Sequence, residues 1–257
     1  EGPKVGVNGE LTKSNTSSTR TNNVQTLVFN KSFGNHNVDA MLGHEYYKSK
    51  GGYLAAIAEG GFSPAIEEID AFAYKKDGSS YTSYYNVEGW FGRAQYNYAE
   101  RYFASLSYRR DASSRFAKEN RWGNFWSIGA AWLINKESFF DVDWVDELKL
   151  KASVGQQGND NIGSYAYIDL YSLSKSSNTQ MSPTFSLKGN KDITWETTTN
   201  LNVGLEFSLF KSRLTGSLDF YSKKTADLLF WLSLPESQGT RGYYSNIGDI
   251  RNNGFEL

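Results

Sequence analysis

The chain has no cysteine and only two histidines in 257 residues. The first absence excludes a disulfide-stapled scaffold and any thiolate nucleophile or metal ligand. The second leaves little for acid–base chemistry. Only His36 and His44 are present, no GxSxG elbow occurs, and carboxylate pairs such as Glu67 and Glu68 read as a solvated loop face. Neither an enzyme nor a cofactor is expected. No apolar run approaches the roughly 20 residues of a spanning helix, which leaves a β-barrel as the only form in which this chain can cross a bilayer. Charge of either sign is also nearly cancelled, a net −1, which argues against nucleic acid or another polyanion as partner.

What is present is alternation. Ten stretches repeat apolar and polar residues with a period of two, so that successive side chains point to opposite sides of a sheet. In the run from Trp90 to Tyr98, Trp90, Gly92, Ala94, Tyr96 and Tyr98 share one side, and Phe91, Arg93, Gln95 and Asn97 the other. After a turn at 99–101, Tyr102, Ala104, Leu106 and Tyr108 continue the first side. Pairing Tyr98 with Tyr102 sets Ala94 opposite Leu106 and Gly92 opposite Tyr108, so that an aromatic ring covers bare glycine backbone. The runs 201–209 and 214–221 repeat the device, with Phe207 across from Gly216. Trp126, Ile128, Ala130, Trp132 and Ile134 make a further apolar face. So do Leu148, Leu150, Ala152 and Val154, which leaves Lys149 and Lys151 pointing inward. In a bilayer this register is enforced, because a Lys or Arg on the lipid side at mid-membrane costs roughly 2–4 kcal/mol. Val38, Ala40, Leu42 and Tyr46 alternate with Asp39, Met41, Gly43 and Glu45, with His44 interrupting near the outer end. Residues 24–33 have ambiguous parity, and a short first strand is placed around Val5 and Val7.

Connections alternate as well. Compact links are expected near 34–37 (which puts His36 in a tight turn), 99–101, 135–147 and 211–212, and long ones near 12–23, 49–87, 111–124, 156–194 and 225–246. The 135–147 link carries Phe139, Phe140, Val142 and Trp144, which suggest a short interfacial turn of helix. Tyr96, Tyr98, Tyr102, Trp132, Phe207 and Phe210 fall near the compact links, and Tyr46, Trp90, Tyr108, Trp126 and Phe220 near the long ones. Two interfacial aromatic girdles have this placement. The pattern defines an all-β, antiparallel, up-and-down transmembrane β-barrel with long extracellular loops. About ten strands of a larger closed barrel are accounted for. No signal peptide precedes Glu1, and Gly254–Leu257 stops as a tenth strand begins. The whole chain is therefore expected to be part of a single barrel domain. Two other readings fit parts of the pattern: a soluble β-sheet carbohydrate-binding module, and a small self-contained ten-stranded outer-membrane barrel.

Several loop motifs have both a functional and a structural reading. Residues 109–121 hold five basic side chains, with Asp111 and Glu119 interleaved, which reads as a loop fixing its own shape through ion pairs, or as an anion or partner contact. Gly155–Gly163 (GQQGNDNIG) carries Asn159, Asp160 and Asn161, but the alternate-position oxygens and distant Glu of a calcium loop are missing. A turn held by Asn and Asp side chains is the better expectation, and no metal is assigned. Tyr81, Tyr84 and Tyr85, Trp122, Tyr165 and Tyr167, and Phe230 and Trp231 offer flat apolar surfaces on which sugar rings stack. Arg115, Asn159 and Asp160 supply polar groups beside them. These residues are candidates for substrate or partner contact, the alternative being packing among the loops. Leu228–Leu234 is apolar enough for a docking surface.

The stretch from about Trp90 to Leu257 resembles the SusC/RagA family of TonB-dependent outer-membrane transporters. The residues that carry the resemblance are FGRAQYNYAERYFASLSYRRDASSRFAKENRWGNFWSIGAAWLINKESFF (91–140), ELKLKASVGQQGNDNIGSYAY (147–167), ITWETTTNLNVGLEFSLFKSRLTGSLDFYSKKTADLL (193–229) and NIGDIRNNGFEL (246–257). Residues 1–89 match only in general strand character. The resemblance implies a barrel of roughly 22 strands, a plug domain, energy from TonB, a SusD-like lipoprotein lid, and import of oligosaccharides or peptides. Plug, TonB-contacting segment and remaining strands are expected to lie outside this sequence.

Overall fold

The computed structural model describes residues 9–63, 65–177 and 180–257. Its strands in chain order are β1 (Glu10–Phe33), β2 (His36–Gly61), β3 (Phe72–Tyr98), β4 (Tyr102–Ser113), β5 (Trp122–Leu133), β6 (Val145–Asn159), β7 (Leu170–Ser177), β8 (Gln180–Leu187), β9 (Glu196–Leu209), β10 (Leu214–Ala226), β11 (Leu229–Ser233), β12 (Gly242–Asn246) and β13 (Ile250–Glu256). Nine of them form one sheet in the order β1-β2-β3-β4-β5-β6-β9-β10-β13, while β7-β8 and β11-β12 are separate two-stranded hairpins. Every described neighbour pair is antiparallel. Among the described residues β1 and β13 end the order without pairing to each other, so the sheet is an open wall. The expected strand around Val5 and Val7 lies outside the described residues.

The hairpin registers are those the alternation dictates. Tyr98 pairs with Tyr102, Ala94 with Leu106 and Gly92 with Tyr108, and Phe207 pairs with Gly216. Because side-chain period and register agree from strand to strand, rows form across the wall. Leu106, Ile128, Val154 and Leu201 follow one another on one face. Ser105, Gly129, Ser153 and Asn202 do so on the other. The first face keeps its apolar groups in the open, with Leu106 and Ile128 both 51% exposed and Leu218 50%.

The aromatic covering of glycine occurs, with one correction. The Phe207 Cζ lies 2.7 Å from where a Cβ on Gly216 would stand, but Gly92 is covered by Leu42 Cδ2 at 3.0 Å rather than by Tyr108. A glycine in a sheet is flanked by two strands, and here the neighbour on the β2 side reaches it first.

The compact links gather aromatic rings. Tyr98, Tyr102 and Trp132 stack in succession at 6.3 Å spacings, Trp132 meets Phe139 at 6.4 Å, and Trp144 stacks on Phe210 at 5.6 Å. Trp132 Nε1 and the Tyr102 hydroxyl both donate to Glu137, and Arg101 adds an ion pair at 3.4 Å. The Tyr102 hydroxyl and then the Trp132 indole hold the Glu137 carboxyl below the ordinary carboxylate range. The short helical turn expected in the 135–147 link is a single 3-10 turn at its start, Ile134–Lys136, and not at the aromatic residues Phe139 to Trp144. His36 is the first residue of β2 rather than part of the turn, and stacks on Phe33 at 5.1 Å.

By packing, the chain falls into two compact units: residues through Asn22 with Tyr47–Asn86, and Asn23–Tyr46 with Val87–Leu257. The first unit corrects the expected loops over 12–23 and 49–87, since β1, β2 and β3 continue through both and leave only 62–71 as a connection. These segments are rich in Ser, Thr and Tyr, of which Thr and Tyr suit strands, yet both faces of β1 are exposed there. A strand wetted on both sides has no reason to alternate, so periodicity cannot reveal it. Lys13 pairs with Glu68 at 2.6 Å, and Lys76 bridges Glu10 and Glu59.

Candidate functional site

On the polar face of the second unit, charges are neutralised in place. Lys151 donates to Glu206 at 2.7 Å and pairs with Asp219 at 2.9 Å, while Lys149 reaches the other oxygen of Glu206 at 2.9 Å. Nearer the long links, Arg109 holds Asp111 at 2.7 Å and Glu45 at 2.8 Å, and its guanidinium lies 5.3 Å over the Phe91 ring. The inward placement of Lys149 and Lys151 thus puts them opposite carboxylates from β9 and β10. Such a surface is wet and polar and carries little unbalanced charge.

A buried apolar cluster of the described residues lies largely among the connections. Phe116 and Ile193 are fully buried, and Phe125, Ile162, Ala166 and Trp195 pack with them. Trp195 touches both Phe116 and Phe125 at ring separations of 5.3 Å. Polar staples surround this core. Ser113 Oγ donates to Asp160 at 2.6 Å, and Arg115 donates to the Asp160 carbonyl at 2.9 Å. Trp195 Nε1 donates to the Arg121 carbonyl at 2.9 Å, and Asn246 Nδ2 to those of Thr194 at 3.0 Å and Asp227 at 2.8 Å. Glu196 accepts from Asn159 at 3.0 Å and from the Leu229 amide at 3.1 Å. These hydrogen bonds tie described residues of the three links 114–121, 160–195 and 227–249 to one another. Lys224, 2.8 Å away, holds the Asp249 carboxyl at the end of the third link below its ordinary range.

The candidates named from sequence fall at different places in the structure. Arg115, Asn159 and Asp160 come together, and the Asn159 side chain accepts from the Asn161 amide at 3.0 Å, which is the expected Asx-type turn. Arg115 and Asp160 are ion-paired at 3.3 Å, so this part of 109–121 is tied to the 155–163 turn rather than to itself. Tyr167 packs against the cluster, whereas Tyr165 is 37% exposed at a φ of 67°. In β11, Trp231 packs edge-on to Tyr244 at 5.1 Å while Phe230 is exposed, and the other apolar residues of the 228–234 run are half-buried. Trp122 lies under the Arg110 guanidinium at 5.0 Å. In the other unit, Tyr81, Tyr84 and Tyr85 sit on β3 rather than on a loop. Tyr81 stacks on Tyr53 at 5.2 Å, Tyr85 meets Tyr47 at 5.9 Å, and Lys50 lies 5.9 Å over Tyr84. Phe116, Ile193 and Trp195 were not singled out from sequence. They sit in segments without periodicity, and the only hint is that large apolar residues stand alone in otherwise polar links.

An antiparallel wall with one exposed apolar face, one polar face and elaborate connections at one end is the wall of a large β-barrel. The chain belongs to the family described as "TonB dependent receptor-like, beta-barrel", whose profile matches residues 4–257. It is 34% identical to TonB-dependent receptor P3 of Formosa agariphila over 262 residues, covering 98% of this chain and 26% of that protein. It is 33% identical over 237 residues to the TonB-dependent receptor SusC of Bacteroides thetaiotaomicron, covering 88% of this chain and 23% of that protein. The structure of the RagAB peptide transporter superposes with a TM-score of 0.90 at 27% identity, covering 96% of this chain and 28% of that one. The resemblance to SusC and RagA is therefore real at the level of both sequence and fold. The chain spans about a quarter of the length of the curated relatives it matches.

Proposed function

We propose that this chain is part of the barrel wall and extracellular loops of an outer-membrane transporter that imports nutrients at the expense of TonB-delivered energy. All of residues 1–257 then belong to one barrel domain. The observation that carries the reading is the unbroken apolar face. Leu106, Ile128, Val154 and Leu201 follow one another in register with their side chains open, while the reverse face carries paired charges. A soluble sandwich buries such a face against a second sheet, whereas a barrel gives it to lipid. In this reading the chain acts by binding and gating rather than by catalysis. The stapled links lie outside the cell, and the exposed Phe230 and Tyr165, with Trp122, Tyr167 and Trp231, contact substrate or a SusD-like surface lipoprotein. The Tyr81, Tyr84 and Tyr85 group and the Arg115, Asn159 and Asp160 turn complete the set. Oligosaccharide fragments are the favoured cargo, because exposed aromatic faces beside Asn and Asp suit sugar rings. Peptides are the second reading, since the RagAB relative is named a peptide transporter.

Uptake by cells tests this. A strain deprived of the protein should lose accumulation of a labelled oligosaccharide or peptide pool, and removal of TonB should produce the same loss. Uptake that survives both deletions overturns the proposal.

A further inference from the structure

The two hairpins within the long links meet at a polar cleft that none of the candidate residues lines. It encloses about 450 Å³ between Ser172, Phe185 and Ser186 of the β7-β8 hairpin and Gly239, Thr240 and Arg241 of the connection from β11 to β12. Its shape begins with a β-bulge. Tyr171 pairs with Phe185 and Leu170 with Leu187, which leaves Ser186 as the extra residue. Successive side chains at a bulge are re-aimed, and here Phe185 and Ser186 both reach the cleft. The facing turn is closed by the Gln238 amide on the Pro235 carbonyl at 2.9 Å and the Leu234 amide on the Arg241 carbonyl at 3.0 Å. Gly239 takes a left-handed φ of 73° there. Thr240 is buried and its hydroxyl donates to the Gly242 carbonyl at 3.4 Å, so it buttresses the turn, while the Arg241 side chain is exposed. A second cation stands nearby. Lys188, two residues beyond Ser186, lies 5.2 Å over the ring of Tyr243, two residues beyond Arg241. The Asp169 carboxylate beside it is engaged by the Gly189 amide at 2.8 Å. On the wall Arg109, Lys149 and Lys151 each face carboxylates, whereas no carboxylate is among the described residues that line this cleft.

We propose that this cleft binds an anionic substituent of a cargo saccharide, a carboxylate or a sulfate ester, with Arg241 as the cation that receives it. The proposal rests on the reading of these links as extracellular loops of a glycan importer, and it narrows the cargo to acidic oligosaccharides. A guanidinium fork matches the paired oxygens of either group through charge-assisted hydrogen bonds. The Ser172 and Ser186 hydroxyls supply further donors. Phe185, braced by Tyr171 at a ring separation of 5.4 Å, gives the sugar ring an apolar face beside the charge. Lys188 adds positive potential without filling the cleft.

Calorimetric titration of the purified full-length protein in detergent micelles tests this with two matched pairs of tetrasaccharides. One pair is oligogalacturonate and its methyl ester, the other a sulfated galactan and its desulfated form. At least one acidic member should bind about tenfold tighter than its neutral partner, the ratio that one hydrogen-bonded contact to a charged group gives. The pair that shows the preference identifies the substituent as carboxylate or sulfate. Raised salt should narrow the preference, because the site is exposed. Arg241→Gln should abolish it while leaving the affinity for the neutral partner unchanged, and Arg241→Lys should retain part of it. Equal binding within both pairs, no binding of either acid, or a preference that persists in R241Q overturns the anion site. If both pairs bind equally, yet a neutral oligosaccharide accumulates in cells only with this protein and TonB, the anion site falls and the transporter reading stands.

Discussion

Replacing Val203 by arginine should be far more damaging than making the same change at Asn202, one residue away. Val203 is 40% exposed on the apolar face, between Ala152 and Phe220, whereas Asn202 lies between Ser153 and Tyr221 on the polar face. From Leu209, the last paired residue of β9, Val203 is removed by about 20 Å at roughly 3.3 Å per residue. With a strand tilt of about 40°, that is about 15 Å of height, near the middle of a roughly 25 Å apolar band. Arginine at that depth costs about 2–4 kcal/mol, or about 30- to 1000-fold in the folding equilibrium constant at about 1.4 kcal/mol per tenfold. Asn202→Arg should cost less than about 1 kcal/mol, because its side chain stays in water. Denaturant unfolding from phospholipid vesicles, followed by tryptophan emission, measures both. Equal losses at 202 and 203, or a larger loss at 202, would refute the assignment of faces.

Phe116→Ala should cost about 3–5 kcal/mol of local stability through the cavity it leaves, and should expose 114–121 and 160–195 to protease and hydrogen exchange while the wall stays protected. Gly216→Ala should cost about 1–3 kcal/mol by overpacking against the Phe207 ring, whereas Gly163→Ala, whose added methyl meets nothing within 4 Å, should leave the melting temperature unchanged. Glu137 is held below its usual range, so its contribution is complete above an ordinary glutamate value of about 4 and fades as pH falls through its lowered one. The stability gap between wild type and Glu137→Gln, measured by thermal melts across pH, should therefore close in acid. A gap that widens there would contradict the hydrogen bonds from Tyr102 and Trp132.

The hairpins at 90–109 and 201–221 could be read to the exact pair because each strand alternates cleanly and each turn is short, so a one-residue slip would invert every side chain. Residues 10–22 and 72–86 hid their strands for the opposite reason. Ser, Thr and Tyr wetted on both faces obey no period, and composition alone made them resemble loops. The hairpin β7-β8 within a long link escaped notice in the same way, whereas β11 stood out only as an apolar run, Leu228–Leu234, without alternation. The loop core was the least legible part. Phe116, Ile162 and Ile193 are brought together by tertiary packing across 77 positions of sequence, and no periodicity marks them. Gly92 shows the limit on a smaller scale, since pairing named Tyr108 as its cover while Leu42, from the strand on the other side, fills the place.

Paramagnetic accessibility at two neighbouring positions tests the central claim most directly. Nitroxide labels at Leu205 and Glu206, with the protein in bilayers, should divide sharply: lipid-soluble oxygen should relax the label at 205, and a water-soluble nickel chelate the label at 206. Equal access of either reagent to both positions would mean that the wall does not separate lipid from water, and the transporter account would fail with it.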